Sequence, residues 1–298
     1  MIQILKSKTE NHNFEWIDLV NPTPEELDQI AKEYNLHPLL VQDCLQPEHL
    51  PKYELIDEVA FIILRVYDQF AAKEADTIQE LTRKIAIFYS SKFVITIHRT
   101  EQSVINEIKE KLIDTGKCVS SDHLLNKLIK SSFSTYEAPG HGFASQLDFL
   151  ESKIFLAVKT QRILKDLYSL KRKIDVIKRI LLISKEIIDP LQEDNPYSRD
   201  IRDSYLKLDT MYDSMRENAN HLLNFYFSFT SQKTNEVMRI LTVFSVFFMP
   251  LTFIVGIYGM NFEFMPELKM KYGYPAVMIL MVVMIILIFI WFKRKKWL

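Results

Sequence analysis

Apolar residues follow three patterns along this chain. Through the first 135 residues they come in short β-branched runs, at 14–19, 59–66, 85–89 and 93–98, the signature of strands. Ser90-Ser91-Lys92 is the right length to turn the last two runs into a hairpin. Thr23-Pro24-Glu25-Glu26 offers a helix cap, a proline at the first helical position and a capping-box glutamate. This portion reads as mixed α/β. Beyond it the period becomes helical. Asn195-Pro196 starts the last long helix, and nothing breaks it before the uncharged stretch that begins at residue 240. A continuous helix over 196–258 would be about 95 Å long at 1.5 Å per residue.

The third pattern is an absence of charge. Residues 240–258 (ILTVFSVFFMPLTFIVGIY) and 274–292 (YPAVMILMVVMIILIFIWF) contain no charged side chain. Each approaches the roughly 20 helical residues that a bilayer core of about 30 Å requires, so both are expected to span a membrane. Pro250 is expected to kink the first span, where neighbouring helices can satisfy the freed carbonyl. Lys293, Arg294, Lys295 and Lys296 follow the second span, and Lys233 and Arg239 precede the first. The loop 259–273 balances Glu263 and Glu267 against Lys269 and Lys271. By the positive-inside rule both termini are expected to be cytoplasmic, in an inner or plasma membrane. The expected division is a cytoplasmic α/β domain at 1–135, long cytoplasmic helices forming a stalk at 136–239, membrane helices at 240–292 and a basic tail at 293–298. The fold class is thus an α+β membrane protein.

One face of the last long helix carries a stripe of small and polar residues. Asn224, Ser228, Ser231, Asn235, Met238, Thr242, Ser245, Met249, Thr252 and Gly256 succeed one another at steps of four and three. A stripe of this kind can be a helix-packing face. Here it continues from the charged region through the span and mixes amides, hydroxyls and thioethers, which suits a pore lining better. Two spans cannot enclose a pore, so a channel would have to be a homo-oligomer.

Charge elsewhere is segregated. Residues 153–185 are dominated by Lys and Arg, with Asp166 and Asp175 the only acids, whereas 186–217 are dominated by acids. The expectation is a pair of solvated helices attracting each other or a neighbour. The net charge of −1 gives no basic field for nucleic acid. Cys44 and Cys118 form no metal or redox spacing and read as buried free thiols in a reducing compartment. The start, MIQILKSKTENHN, lacks the apolar core of a signal peptide. The histidines show no H-x-x-x-H spacing and there is no Walker A loop. No organic cofactor and no enzymatic constellation are expected.

Directly after the first span stand Tyr258-Gly259-Met260-Asn261 and then Phe262-Glu263-Phe264-Met265-Pro266-Glu267-Leu268. With Thr234-Asn235-Glu236-Val237-Met238, Phe248-Met249-Pro250-Leu251-Thr252-Phe253 and the tail ending Trp297-Leu298, this stretch resembles the CorA family of magnesium and divalent-cation transporters. Pro51-Lys52-Tyr53-Glu54 extends the resemblance into the N-terminal domain. The resemblance implies a homopentamer in the lipid bilayer, lined by the first span, with the second facing lipid. It implies passive uptake of hydrated Mg2+ driven by the membrane potential. Gly259, Met260 and Asn261 would form the selectivity motif, with the Asn261 ring receiving the ion. Thr252 and Asn235 would form polar rings, and Met249, Leu241 and Met238 an apolar constriction, although Leu241 lies one position off the stripe. Asn224 falls where some members carry an aspartate ring. Asp200 falls on a regulatory aspartate at which cytoplasmic Mg2+ bridges subunits and closes the pore. Asp68, Glu74 and Asp76 are its candidate partners. Transport of Co2+, Ni2+ or Zn2+ is the alternative within the family, and a non-conducting membrane-anchored sensor or scaffold the alternative outside it.

Overall fold

The computed structural model describes residues 2–6, 14–156, 161–191, 195–261, 263, 265–295 and 297. They divide into two compact units, Met1–Leu223 and Asn224–Leu298. The first is built on a mixed sheet of β1 (Ile2–Lys6), β2 (Glu15–Val20), β3 (Lys52–Ile56), β4 (Val59–Tyr67), β5 (Thr82–Tyr89) and β6 (Phe93–His98), in the order β1-β2-β6-β5-β4-β3. β2 and β6 are parallel, and every other neighbouring pair is antiparallel. The central strands read as continuous apolar runs because both faces are covered. Ile17, Leu19, Phe61, Ile63, Ala86, Phe88, Ile95 and Ile97 share a core with Leu27 and Ile30 of α1 (Pro24–Glu33) and Leu40 and Val41 of α2 (Pro38–Leu45). The alternate positions Trp16, Ile62, Leu64, Ile87 and Val94 are buried as well. β1 and β3 were not expected. β3 is the outer strand beside β4, and its half-buried residues leave no continuous apolar run to read.

Local signals were realised closely. Thr23 and Glu26 form a reciprocal capping box on α1 with Pro24 in its first turn. The amide of Ser90 donates to the Phe93 carbonyl at 2.9 Å, closing the β5–β6 hairpin. Thr77 and Glu80 form a second capping box on the one-turn helix α3 (Ile78–Leu81). Then come α4 (Ser103–Ile108), which runs into a π-helical turn at Lys109–Ile113, and α5 (Ser121–Ser134), which packs on β4 and β6.

α6 (Glu137–Phe155), α7 (Gln161–Ile188) and the first part of α8 (Pro196–Tyr258) complete this unit. The Asn195 side chain accepts from the Tyr197 amide at 3.0 Å and starts α8 where the sequence placed it. Tyr212 of α8 donates its hydroxyl to the Tyr136 carbonyl at 2.9 Å, and Tyr136 donates to the Arg65 carbonyl at 2.7 Å. This relay ties α8 to the sheet, and burial pushes both phenols well above their ordinary range. α7 is not the fully solvated helix expected. It buries Ile163, Leu167, Leu170, Ile174, Ile177 and Ile180, and Lys178 is itself buried. Lys178 reaches Asp209 at 2.7 Å and Asp213 at 3.0 Å on α8, so the charge segregation becomes a bridge between the two helices. Cys44 and Cys118 are buried and free.

Candidate ion pathway

A single heptad-like seam organises α8. In the first unit its buried residues are Ser198, Ile201, Tyr205, Leu208, Tyr212, Met215, Ala219 and Leu222, at alternating steps of three and four. Continued at the same steps, the series runs through Tyr226, Phe229, Lys233, Glu236, Ile240, Val243, Phe247, Pro250 and Ile254 in the second unit. Lys233, Glu236 and Ile240 are exposed, and the other six are half-buried. Phe247 stacks on Phe292 of α9 (Gly273–Arg294) with ring centroids 5.8 Å apart. Val243, Phe244, Phe247, Phe248 and Leu251 share an apolar cavity with Ile285 of α9.

Every residue of the polar stripe lies two positions after a member of that series. Two positions are about 200° of helical rotation, so the stripe occupies the side of α8 opposite its packing seam. Asn224, Ser228, Ser231, Asn235, Met238, Thr242, Ser245, Met249, Thr252 and Gly256 are all exposed. The same offset applied in the first unit picks out Asp200, Asp203, Lys207, Thr210, Ser214, Glu217 and His221, again all exposed. Asp200 therefore shares the stripe's register, a relation that reading the stripe from Asn224 onward had missed. The buried heptad was the signal that could have found it. Leu241 is 59% exposed and sits beside the stripe, not in it.

The hydroxyl of Thr242 donates to the Met238 carbonyl at 2.8 Å. With its proton committed to the helix, that oxygen can only accept, which is what a wall facing a hydrated cation needs. α8 continues through Pro250 and ends at Tyr258, where the Gly259 amide donates to the Val255 carbonyl at 2.9 Å and Met260 to Ile257 at 3.2 Å. A β-carbon on Gly259 would lie 3.2 Å from the Val255 oxygen, a close contact in this closing turn. Asn261 follows, exposed, just past the helix end. A one-turn 3-10 helix at Pro266–Lys269 leads to Gly273, where a β-carbon would lie 2.3 Å from the Glu267 carbonyl oxygen. Phe262, Phe264, Lys296 and Leu298 of the motif region lie outside the described residues.

The acidic residues expected to regulate are dispersed within one chain. Asp200 pairs with Lys130 of α5, Asp68 with Arg83 at 2.6 Å, and Asp76 with Arg172 of α7 at 3.0 Å. Glu74 is exposed. Among the described residues no three His, Cys, Asp or Glu side chains gather into a metal cage.

The family model for "CorA-like Mg2+ transporter protein" matches residues 11–294. The chain belongs to that family. Across 95% of its length it is 30% identical to the cobalt/magnesium transport protein CorA of Thermotoga maritima, covering 83% of that protein. It is equally similar, at 30% identity over 95% of its length and 89% of the relative's, to the putative metal ion transporter YfjQ of Bacillus subtilis. The CorA magnesium transporter structure from Methanocaldococcus jannaschii matches with a TM-score of 0.77 at 23% identity, covering 98% of this chain and 93% of that one. That likeness establishes the CorA fold: a soluble α/β region, a long helix and a C-terminal apolar helix. α8 and α9 are both long and apolar enough to cross a membrane.

Proposed function

We propose that this CorA-family chain forms a homo-oligomeric, pentameric channel for the passive uptake of hydrated Mg2+, closed from the cytoplasm by Mg2+. The observation that carries this reading is the uncharged polar face of α8, opposite its packing seam and left uncovered by the single chain. Several copies turning that face inward would enclose a path lined by amide and hydroxyl oxygens. Mg2+ gives up its octahedral water shell reluctantly, so such a path would hold the ion through its waters. Asn261 would receive the hydrated ion at the mouth, Gly259 and Met260 would set the turn that presents it, and Thr252 and Asn235 would form later rings. Met249, Met238 and Leu241 would narrow the path to an apolar constriction that closes by dewetting. No Asp or Glu lies between Arg239 and Met260, in keeping with a site that must release as readily as it binds. The driving force needs no nucleotide, because a divalent ion gains about 4.6 kcal/mol per 100 mV.

Closure would use Asp200. The described residues of one chain supply no cage around it, so the remaining oxygens would come from a neighbouring subunit, and Mg2+ would have to displace Lys130. Both termini would face the cytoplasm, with 1–135 and 136–239 on that side and 240–292 in the membrane. The names of the relatives include cobalt beside magnesium, so the decisive experiment compares ions. Purified protein in liposomes should pass Mg2+ on an imposed inside-negative potential, with Co2+, Ni2+ and Zn2+ tested alongside. Flux of none of them would reject the channel, and flux of Zn2+ but not Mg2+ would reject the ion.

A further inference from the structure

Charge in the second unit collects at one end. Lys293 and Arg294 form the last turn of α9, and Lys295 caps it. Phe247 of α8 stacks on Phe292, so the start of the uncharged stretch of α8 and the end of α9 share one end of this helix pair. Arg239, about two turns before Phe247, lies toward the same end. All four cations are exposed, and among the described residues none of their side chains makes an ion pair or a hydrogen bond. Glu236 is the one acid of α8 between residues 224 and 258, and it can offset only one of them. Two tryptophans sit beside the cluster. Trp291 packs edge-on against Phe292 with centroids 5.1 Å apart, and Trp297 tilts against the same ring at 5.8 Å. Tryptophan favours the headgroup level of a bilayer.

About one turn along α8 from Arg239 an apolar groove begins. Its walls are Val243, Phe244, Phe247, Phe248 and Leu251 of α8 and Ile285 of α9, and its volume is about 400 Å³. Val243 and Phe247 belong to the packing seam, so the groove opens away from the polar stripe. Cations and groove together call for an occupant that is anionic at one end and apolar at the other. A second copy of this chain would bring the same cations to the same end and leave their charge uncompensated. An anionic phospholipid meets both demands, because its phosphate oxygens accept from Arg and Lys while an acyl chain fills the groove.

We propose that α8 and α9 bind an anionic phospholipid here, with its phosphate on Lys293, Arg294, Lys295 and Arg239 and one acyl chain between Phe247 and Ile285. The proposal rests on the two helices spanning a bilayer and not on ion conduction. The competing account gives the cations only a topological role, holding this end on the cytoplasmic side. It predicts no preference among headgroups.

The chain carries its own probes. Of its three tryptophans, Trp16 is fully buried in the first unit, whereas Trp291 and Trp297 are exposed beside the groove. Full-length protein should be reconstituted in vesicles of equal phosphatidylglycerol and phosphatidylcholine, with quenching bromines on the acyl chains of one lipid or the other. Quenching, relative to vesicles without bromine, should report at least about tenfold preference for phosphatidylglycerol, shrinking as salt is added. Lys293→Gln/Arg294→Gln/Lys295→Gln should abolish the preference. Ile285→Phe, which fills the groove without changing charge, should cut it about fivefold or more. Lys269→Gln/Lys271→Gln, in the loop at the other end of the helices, should leave it unchanged. Circular dichroism and light scattering check fold and oligomer size. Should the triple variant fail to reconstitute, Arg239→Gln/Lys295→Gln decides. Equal quenching by the two lipids, or wild-type preference in the charge variant, would overturn the proposal. So would a preference that Ile285→Phe leaves untouched, which would mean diffuse attraction without a site. Quenching by neither lipid would hand the groove to a second copy and overturn it too. No readout involves ion flux, so this proposal and the channel reading fail separately.

Discussion

The two stretches of α8 invite comparison, because one helix with one packing series does different things in each unit. Before residue 224 the seam is buried and the opposite face is charged, from Asp200 through Lys207 to Glu217. After it the seam is half-buried at Tyr226, Phe229, Val243, Phe247, Pro250 and Ile254 and exposed at Lys233, Glu236 and Ile240, and the opposite face keeps its polarity but loses its charge. Within the uncharged stretch 240–258, solvation accounts for the missing charge. Water tolerates an ionised side chain on an exposed face, whereas in a bilayer it costs at least about 2.5 kcal/mol at the helix centre. Amides, hydroxyls and thioethers are the polarity that remains affordable there.

The comparison breaks most completely at the far end of the uncharged face. Asn261→Ala should reduce Mg2+ flux into liposomes to background while oligomer size, measured by light scattering, stays unchanged. Normal flux would remove Asn261 from the pathway. Next in size is the seam. Leu208, fully buried, should lose about 2–5 kcal/mol of stability on truncation to alanine. Ser231→Ala on the opposite face should change it by less than about 0.5 kcal/mol. Comparable losses in denaturant titrations would mean that the two faces are not distinct.

A smaller effect sharpens the division within the span. Cysteines at Met249 and Thr252 should react with water-soluble thiol reagents, and those at Phe253 and Ile254 should be protected. Uniform labelling would erase the stripe. The smallest effect concerns the charged stretch. Asp200→Asn should raise the Mg2+ concentration that protects the soluble region from protease, and Lys130→Met should lower it by removing a competitor. Shifts below about fivefold are expected of a half-exposed pair. Identical midpoints in both variants would make Asp200 an ordinary surface acid.

Much of this was legible along the chain. The spans, the stripe, the β5–β6 hairpin, the Thr23 capping box and the start of α8 at Pro196 all depend on residues a few positions apart, which short-range periodicity and turn chemistry encode. β3 was missed because an outer strand with half-buried residues carries no apolar run. The burial of Lys178 was missed because its partners, Asp209 and Asp213, arrive from another helix.

The sequence by itself determined where apolar faces begin and end, and hence which segments are strands, which helices can cross a membrane and which face of α8 remains polar. Only the tertiary structure decided which charges meet. Lys130 reaches Asp200 across 70 residues of chain, and Arg65, Lys84 and the residue after His98 become neighbours through strand register. Periodicity is a property of one segment, whereas register is set by the packing of several, so no single stretch of sequence contains it.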